Sequence, residues 1–368
     1  MKRFLSLTLA FLLLTASFNV FAKDISTELE KTINYYEENF DELYYEGALA
    51  MALAGNKTDD SLFAELDAIT ADSTVGDIAK NILAAKATDK TLSELFGSDI
   101  AALLTTMQQE DGSFGWGMFD TYIAMLALDS TDTAYNKAKA VESILAEQDA
   151  SGAFGYFDWE EPFDFIADID TTAMMVFALS SYKSTQTDAA VKKAIDYIMS
   201  EQDTITGGFI SIWTGADNVS TAAYAILSLI SAGEDINDAK YASLIANLLS
   251  FQNTDGSFTK DKENEKDEFD AFSTAQALLA LVSIDAKMTP YQQLNKEKSF
   301  VFSTDIADDE DDVDDAEEIV TVEVTTTANN TTMNTSESPE TGDSMNTFLL
   351  MTLLLLSASI ILKKQWQK

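Results

Sequence analysis

The stretch QQEDGSFGWG, Gln108 to Gly117, closes a helical-looking segment with a Gln, a Gly and an aromatic ring. The same order returns as QDASGAF from Gln148 and QNTDGSF from Gln252, and as QDTITGGF from Gln202 with one extra residue. These Gln residues lie 40, 54 and 50 positions apart. Repeats of that length mark stacked supersecondary units, none of which can bury its apolar face alone. In each copy the Gln closes a helix, the Gly permits a sharp turn and the Phe packs back on the hairpin.

Apolar residues fall at helical spacing on both sides of these turns, and no alternating strand stands out. The pattern predicts helices in pairs. The first of each pair is amphipathic: Ile25–Phe40, Ser61–Ile69, Leu92–Gln108, Thr133–Glu147, Asp188–Glu201 and Ile236–Phe251. The second is small and apolar nearly all round: Leu43–Ala54, Val75–Ala85, Thr121–Leu128, Thr171–Ser181, Ser220–Ala232 and Ser273–Ile284. A helix apolar on every side belongs in the interior. Six outer and six inner helices make an all-α, (α/α)6 toroid over residues 23–298. Asp-x-x-Ser/Thr-Thr-Ala opens three inner helices, at Asp168, Asp217 and Asp270, where short polar side chains cap free N–H groups.

Sixty-two acidic residues against 23 basic ones give a net charge of −39. Phosphate binding needs clustered Lys and Arg, so nucleic acid is excluded as a partner. The chain has no Cys and no His, and its one Arg is Arg3. A hydrophobic core must therefore stabilise it without disulfides. The acidity admits cationic ligands, and the charged loop Asn253 to Asp270 is a candidate for Ca²⁺, although it lacks the spacing of a known calcium loop. From 299 to 337 the chain is acidic, then rich in Thr, Asn and Ser. It reads as a disordered, self-repelling stalk.

Both ends carry addresses. Lys2 and Arg3, the apolar run from Phe4 and the exit Val20-Phe21-Ala22 read as a secretory leader over 1–22, cut between Ala22 and Lys23. At the other end, Ser338-Pro339-Glu340-Thr341-Gly342 precedes an apolar segment at about 347–362 and a cationic tail to Lys368. Residues 338–368 thus resemble a sortase sorting signal, with Ser338 where the usual motif has Leu. The resemblance implies cleavage between Thr341 and Gly342 and attachment of Thr341 to peptidoglycan on the surface of a Gram-positive cell, after transient anchoring by a transmembrane helix. A plain membrane anchor is the alternative.

Gln-x-x-x-Gly-x-aromatic turns on a helical ring resemble the squalene cyclase and prenyltransferase repeat superfamily, which includes the helical domain of cobalamin carriers. Family members often have Trp where this chain has Phe114, Phe154, Phe209 and Phe258. The resemblance implies fold more than activity. The zinc chemistry of protein prenyltransferases is excluded, since its Cys and His ligands are absent, and no Arg remains to clamp a diphosphate. Cyclase-type acid catalysis survives: Asp168-Ile169-Asp170-Thr171 matches three positions of an Asp-x-Asp-Asp motif. The resemblance makes Asp170 the proton donor with Asp168 beside it. A glycan-cleaving pair among Asp158, Glu160, Glu161 and Asp164 is a second carboxylate option.

Every connection from an outer to an inner helix emerges at one end of the ring. Trp116, Tyr156, Trp159 and Trp213 therefore gather on one rim as candidate ligand-binding residues, while Phe119 and Phe163 are expected to plug the mouth. The reading that results is a wall-anchored surface protein that binds a small molecule such as a corrinoid, a glycan or a host protein, with no resident cofactor or metal assigned. A secreted enzyme using Asp170, or a glycan-cleaving pair, is the alternative.

Overall fold

The computed structural model describes residues 25–39, 44–56, 69–70, 72–131, 133–158, 164–261 and 270–295, with two short strand pieces at 300–301 and 323–324. The leader with its Ala22–Lys23 junction, most of the expected helix Ser61–Ile69, Trp159 to Phe163, residues 262–269, and the sorting motif and apolar segment after 338 all lie outside the described residues.

Helix α1 covers 25–38. It is followed by α2 (Tyr45–Leu53), α3 (Val75–Ala85), α4 (Leu92–Phe96), α5 (Ile100–Thr105), α6 (Met118–Asp129) and α7 (Lys137–Leu145). Then come α8 (Ile169–Leu179), α9 (Thr185–Ser200), α10 (Val219–Ser231), α11 (Ala242–Leu249), α12 (Ala271–Ala286) and α13 (Pro290–Leu294). The inner helices α2, α3, α6, α8, α10 and α12 pack each on the next, and α12 packs back on α2, so the ring closes. Their contacts are made by small side chains: Ala48, Ala79, Ala124, Ala173, Ala223 and Ala277 are all fully buried. Outer helices pack with one stripe only. On α1, Ile25, Leu29, Thr32 and Tyr36 recur at helical spacing and are all buried.

The repeated turn does more than reverse the chain. Gly112, Gly152, Gly207 and Gly256 have φ of +92°, +95°, +75° and +98°, and a Cβ on each would meet the next outer helix's backbone at 2.3–2.6 Å. The Gln stitches the same junction. The Gln108 amide donates to Gly112 O and Asn136 O, and that of Gln148 to Gly152 O and Ala190 O. The Gln252 amide donates to Glu28 O and Thr32 Oγ1 of α1, so the last turn fastens the first helix. In the copy with an inserted residue, Gln202 reaches only its own Gly207 O, and Asn247 Nδ2 of α11 makes the bridge by donating to Thr206 O. The four Phe rings are fully buried, and the N–H groups of Phe114, Phe154 and Phe258 donate to Thr121, Thr172 and Thr274 of the following inner helices.

Several expectations change. The outer helix from Leu92 breaks at Gly97, whose φ of 69° ends α4 before Asp99 caps α5. The cap of α10 is Asn218, which accepts from Ser220 and Thr221 N–H. Asp217 instead accepts from Asn247 Nδ2 at 2.8 Å, and it is Asn218 N–H that donates to Phe209 O, as Asp168 and Asp270 N–H do to Phe154 O and Phe258 O. Asp168 and Asp270 cap α8 and α12 as expected. The aromatic loop is an antiparallel hairpin of β1 (Gly155–Phe157) and β2 (Phe165–Ala167), in which Tyr156 pairs with Ile166. Alternating aromatic and small residues supply that strand tendency. Within the expected stalk, β4 (Phe300–Val301) runs parallel to β3 (Tyr182–Lys183) and antiparallel to β5 (Glu323–Val324). Phe, Val and Tyr favour extended backbone, which the polar composition of the stretch as a whole obscures.

Among the described residues no helix is long and apolar enough to cross a membrane. At the C-terminal end of the inner ring, the carboxylate of buried Asp129 accepts from Tyr135 and Tyr182 hydroxyls and pairs with Lys137. A carboxylate at a helix C-terminus is disfavoured by the dipole, and these three donors offset that cost.

Candidate functional site

The N-termini of all six inner helices converge on one mouth. Four of them bring an acid in the first turn: Glu46 on α2, Asp77 on α3, Asp120 on α6 and Asp170 on α8. Asp168 and Asp170 differ in their surroundings. Asp168 is buried, and its Oδ2 accepts from Thr171 N at 2.9 Å and from Thr171 Oγ1 at 2.5 Å. Burial raises the Asp168 carboxyl above its ordinary value, and those bonds offset part of that rise. Asp170 has a buried Oδ1 with no hydrogen-bond partner. Burial, reinforced by the neighbouring Asp168 charge, pushes its carboxyl up to about 7, while the Thr221 hydroxyl pulls the other way. Burial raises both carboxyls, and the Thr171 bonds hold Asp168 back while Asp170 lacks comparable donors, so Asp170 is the one raised to about 7.

Asp120 sits on the neighbouring inner helix, α6. Burial raises its carboxyl, while the Trp116 N–H and the Lys80 ammonium pull it down. Its Oδ2 accepts the Trp116 N–H at 2.8 Å, which fixes the loop that presents the indole. Below, the bore has a floor of buried polar side chains. Gln276 Nε2 donates to Tyr224 Oη, and Tyr224 Oη donates to Glu46 Oε1 at 2.7 Å. Burial pushes the Glu46 carboxyl up despite that bond. Tyr122 and Tyr291 are buried in the same knot.

Around the mouth the expected aromatic rim is present. Trp116 is 80% exposed and Trp213 57% exposed. Trp213 stacks on Tyr156 with ring centroids 5.1 Å apart and planes 23° apart. Phe119 is exposed. Phe157, Ile210, Ile212 and Phe272 extend the apolar edge. Asp158 and Asp164 are both exposed beside each other at the hairpin, joined through Asp158 N–H and Asp164 O at 2.9 Å, so no buried environment surrounds that candidate pair. Among the described residues no group of three or more acids gathers as a metal site. Most of the loop proposed for Ca²⁺ falls outside them.

The sequence reading missed Asp120, Lys80, Glu46 and Phe272. The signal was available: aligning the six inner helices puts Glu46 and Asp120 close to the position of Asp170.

The prenyltransferase alpha-alpha toroid domain matches this chain over residues 54–163 and again over 160–308. The chain belongs to that family. Among solved structures, the toroid is similar to a type II terpene cyclase from Scytonema, crystallised with geranylgeranyl dihydroxybenzoate as substrate. Identity there is 13%, the TM-score 0.52, and coverage 75% of this chain and 100% of that one. It is similar also to a protein from Actinoplanes, at 13% identity and a TM-score of 0.50, over 71% of this chain and 99% of that one. Likeness at that identity establishes the toroid and not its chemistry. No curated protein matches the chain.

Proposed function

We propose that this toroid is a surface-displayed ligand-binding protein whose recognition site is the aromatic mouth of the ring. The observation that carries the reading is the stack of half-buried Tyr156 on exposed Trp213, together with exposed Trp116. Exposed rings around a polar centre suit a ligand with a flat or ring-shaped apolar face, such as a corrinoid or a glycan. The buried floor of Tyr122, Tyr224, Gln276 and Glu46 favours a molecule lying across a shallow cup over a long chain folded inside it. On this reading the leader exports the chain and the Ser338–Gly342 motif ties it to peptidoglycan.

A second reading rests on Asp170. A carboxyl near 7 with an unpartnered buried oxygen is a competent general acid at neutral pH, and the terpene cyclase of similar fold makes an isoprenoid the substrate class to test. One experiment separates the two. Melting temperatures are measured with cyanocobalamin, cellotetraose and geranylgeraniol, with product analysis after long incubation. Binding predicts a saturable rise with one probe, weakened about 10-fold by Trp213→Ala and retained in Asp170→Asn. Turnover of a probe by the parent, abolished in Asp170→Asn, would replace the binding reading with the catalytic one.

A further inference from the structure

A cavity of about 170 Å³ lies at the opposite end of the ring from the aromatic mouth. Phe177, Ser180, Ser231, Tyr291, Gln292 and Asn295 line it, with Lys183 at its edge. It sits where α8 and α10 end, under the short helix α13. Thr289 and Pro290 start that helix with a capping box that fixes Gln292 and Asn295 over the ring. Two of its side chains are unusual. Ser180 is 8% exposed and Asn295 is 6% exposed, yet Ser180 Oγ and Asn295 Oδ1 make no hydrogen bond. Buried polar atoms normally find partners, and two orphans in one small cavity point to a guest that supplies them.

We infer that this cavity is a binding site for a small neutral polyol, of the size of one monosaccharide or cyclitol. The ends of α8 and α10 bring partial negative charge and carbonyl acceptors, which disfavours an anion. Lys183 at the edge, with no carboxylate among the lining residues, disfavours a cation. A donor-rich neutral molecule fits both conditions. Its hydroxyls give hydrogens to Asn295 Oδ1 and exchange a bond with Ser180 Oγ. Its C–H face lies against Phe177 and Tyr291, whose rings stack at 5.9 Å with planes 27° apart. The volume is of the order of one small ring.

The test is saturation-transfer NMR on the purified full chain with myo-inositol, glucose, methylammonium and acetate as separate probes. The site predicts transfer to myo-inositol or glucose and none to the two ions. Ser181→Trp, at a half-buried lining position, should reduce that transfer at least 10-fold, as should Asn295→Leu inside the cavity. Ile205→Ser, at an exposed position assigned to neither site, should leave it within 2-fold. Absence of transfer to both polyols would overturn the inference. So would transfer unchanged in folded Ser181→Trp, transfer lost in Ile205→Ser, or a preference for either ion.

Discussion

Asp170→Asn is expected to be more stable than the parent at pH 8 by about 2–4 kcal/mol, and to match it at pH 4. The folded-state value of Asp170 lies near 7, above the ordinary carboxylate range, so the native state holds this proton more tightly than the unfolded chain. The stability that proton contributes is complete below about pH 4 and is lost as pH rises through 7. Three pH units correspond to about 4 kcal/mol, and partial access to solvent at the mouth reduces that figure. The amide keeps the shape and removes the charge. Melting curves of the two proteins at pH 4 and pH 8 should differ by about 5–10 °C at the higher pH only. Comparing variant with parent cancels the self-repulsion of the other acids, which also weakens the fold as pH rises. An equal difference at both pH values would mean that Asp170 is an ordinary ionised carboxylate. A site that costs stability at working pH is the kind of strain a functional centre retains.

Gly256→Ala should be among the most disruptive single-methyl changes in the ring, costing more than about 3 kcal/mol. Its Cβ would lie 2.3 Å from Lys31 O on α1, on backbone with φ of +98°. Neither the turn nor the helix can yield without opening the contact by which the last repeat holds the first. Gly233→Ala is the control. Its φ of +88° imposes a similar backbone cost, but nothing lies within 4 Å of the added carbon, so about 1 kcal/mol is expected. Urea denaturation of both variants separates strain at the turn from closure of the ring. Similar losses for the two would argue against α1 being packed on the Gln252 turn.

The ring was legible in the sequence because its logic is local. Each Gln-x-x-x-Gly-x-Phe copy announces a turn, and the all-apolar inner helices can only face inward. What was not legible depends on contacts between repeats. That Gln252 donates to Glu28 O, or that Gly256 abuts Lys31, involves residues more than 200 positions apart that no spacing rule connects. The shift from Asp217 to Asn218 as cap shows only in the backbone pairing of Asn218 with Phe209. The aromatic rim was found by asking where the loops emerge, and Trp116, Tyr156 and Trp213 lie there. The acids of the mouth were harder to find. In a chain with 62 acidic residues Asp120 and Glu46 look ordinary until Glu46 is seen buried and Asp120 half-buried and bonded to Trp116. The cavity under α13 had no signal at all, since Ser180 and Asn295 are unremarkable until both are seen without partners.

The claim that the mouth is the recognition surface is tested most directly by following the indole N–H signals of the 4 Trp residues by NMR while cyanocobalamin, cellotetraose or geranylgeraniol is added. The account predicts that one of these probes shifts the signals of Trp116 and Trp213 in a saturable way and leaves Trp366 unchanged. Binding that leaves Trp116 and Trp213 undisturbed, or no response to any of the three, would contradict it.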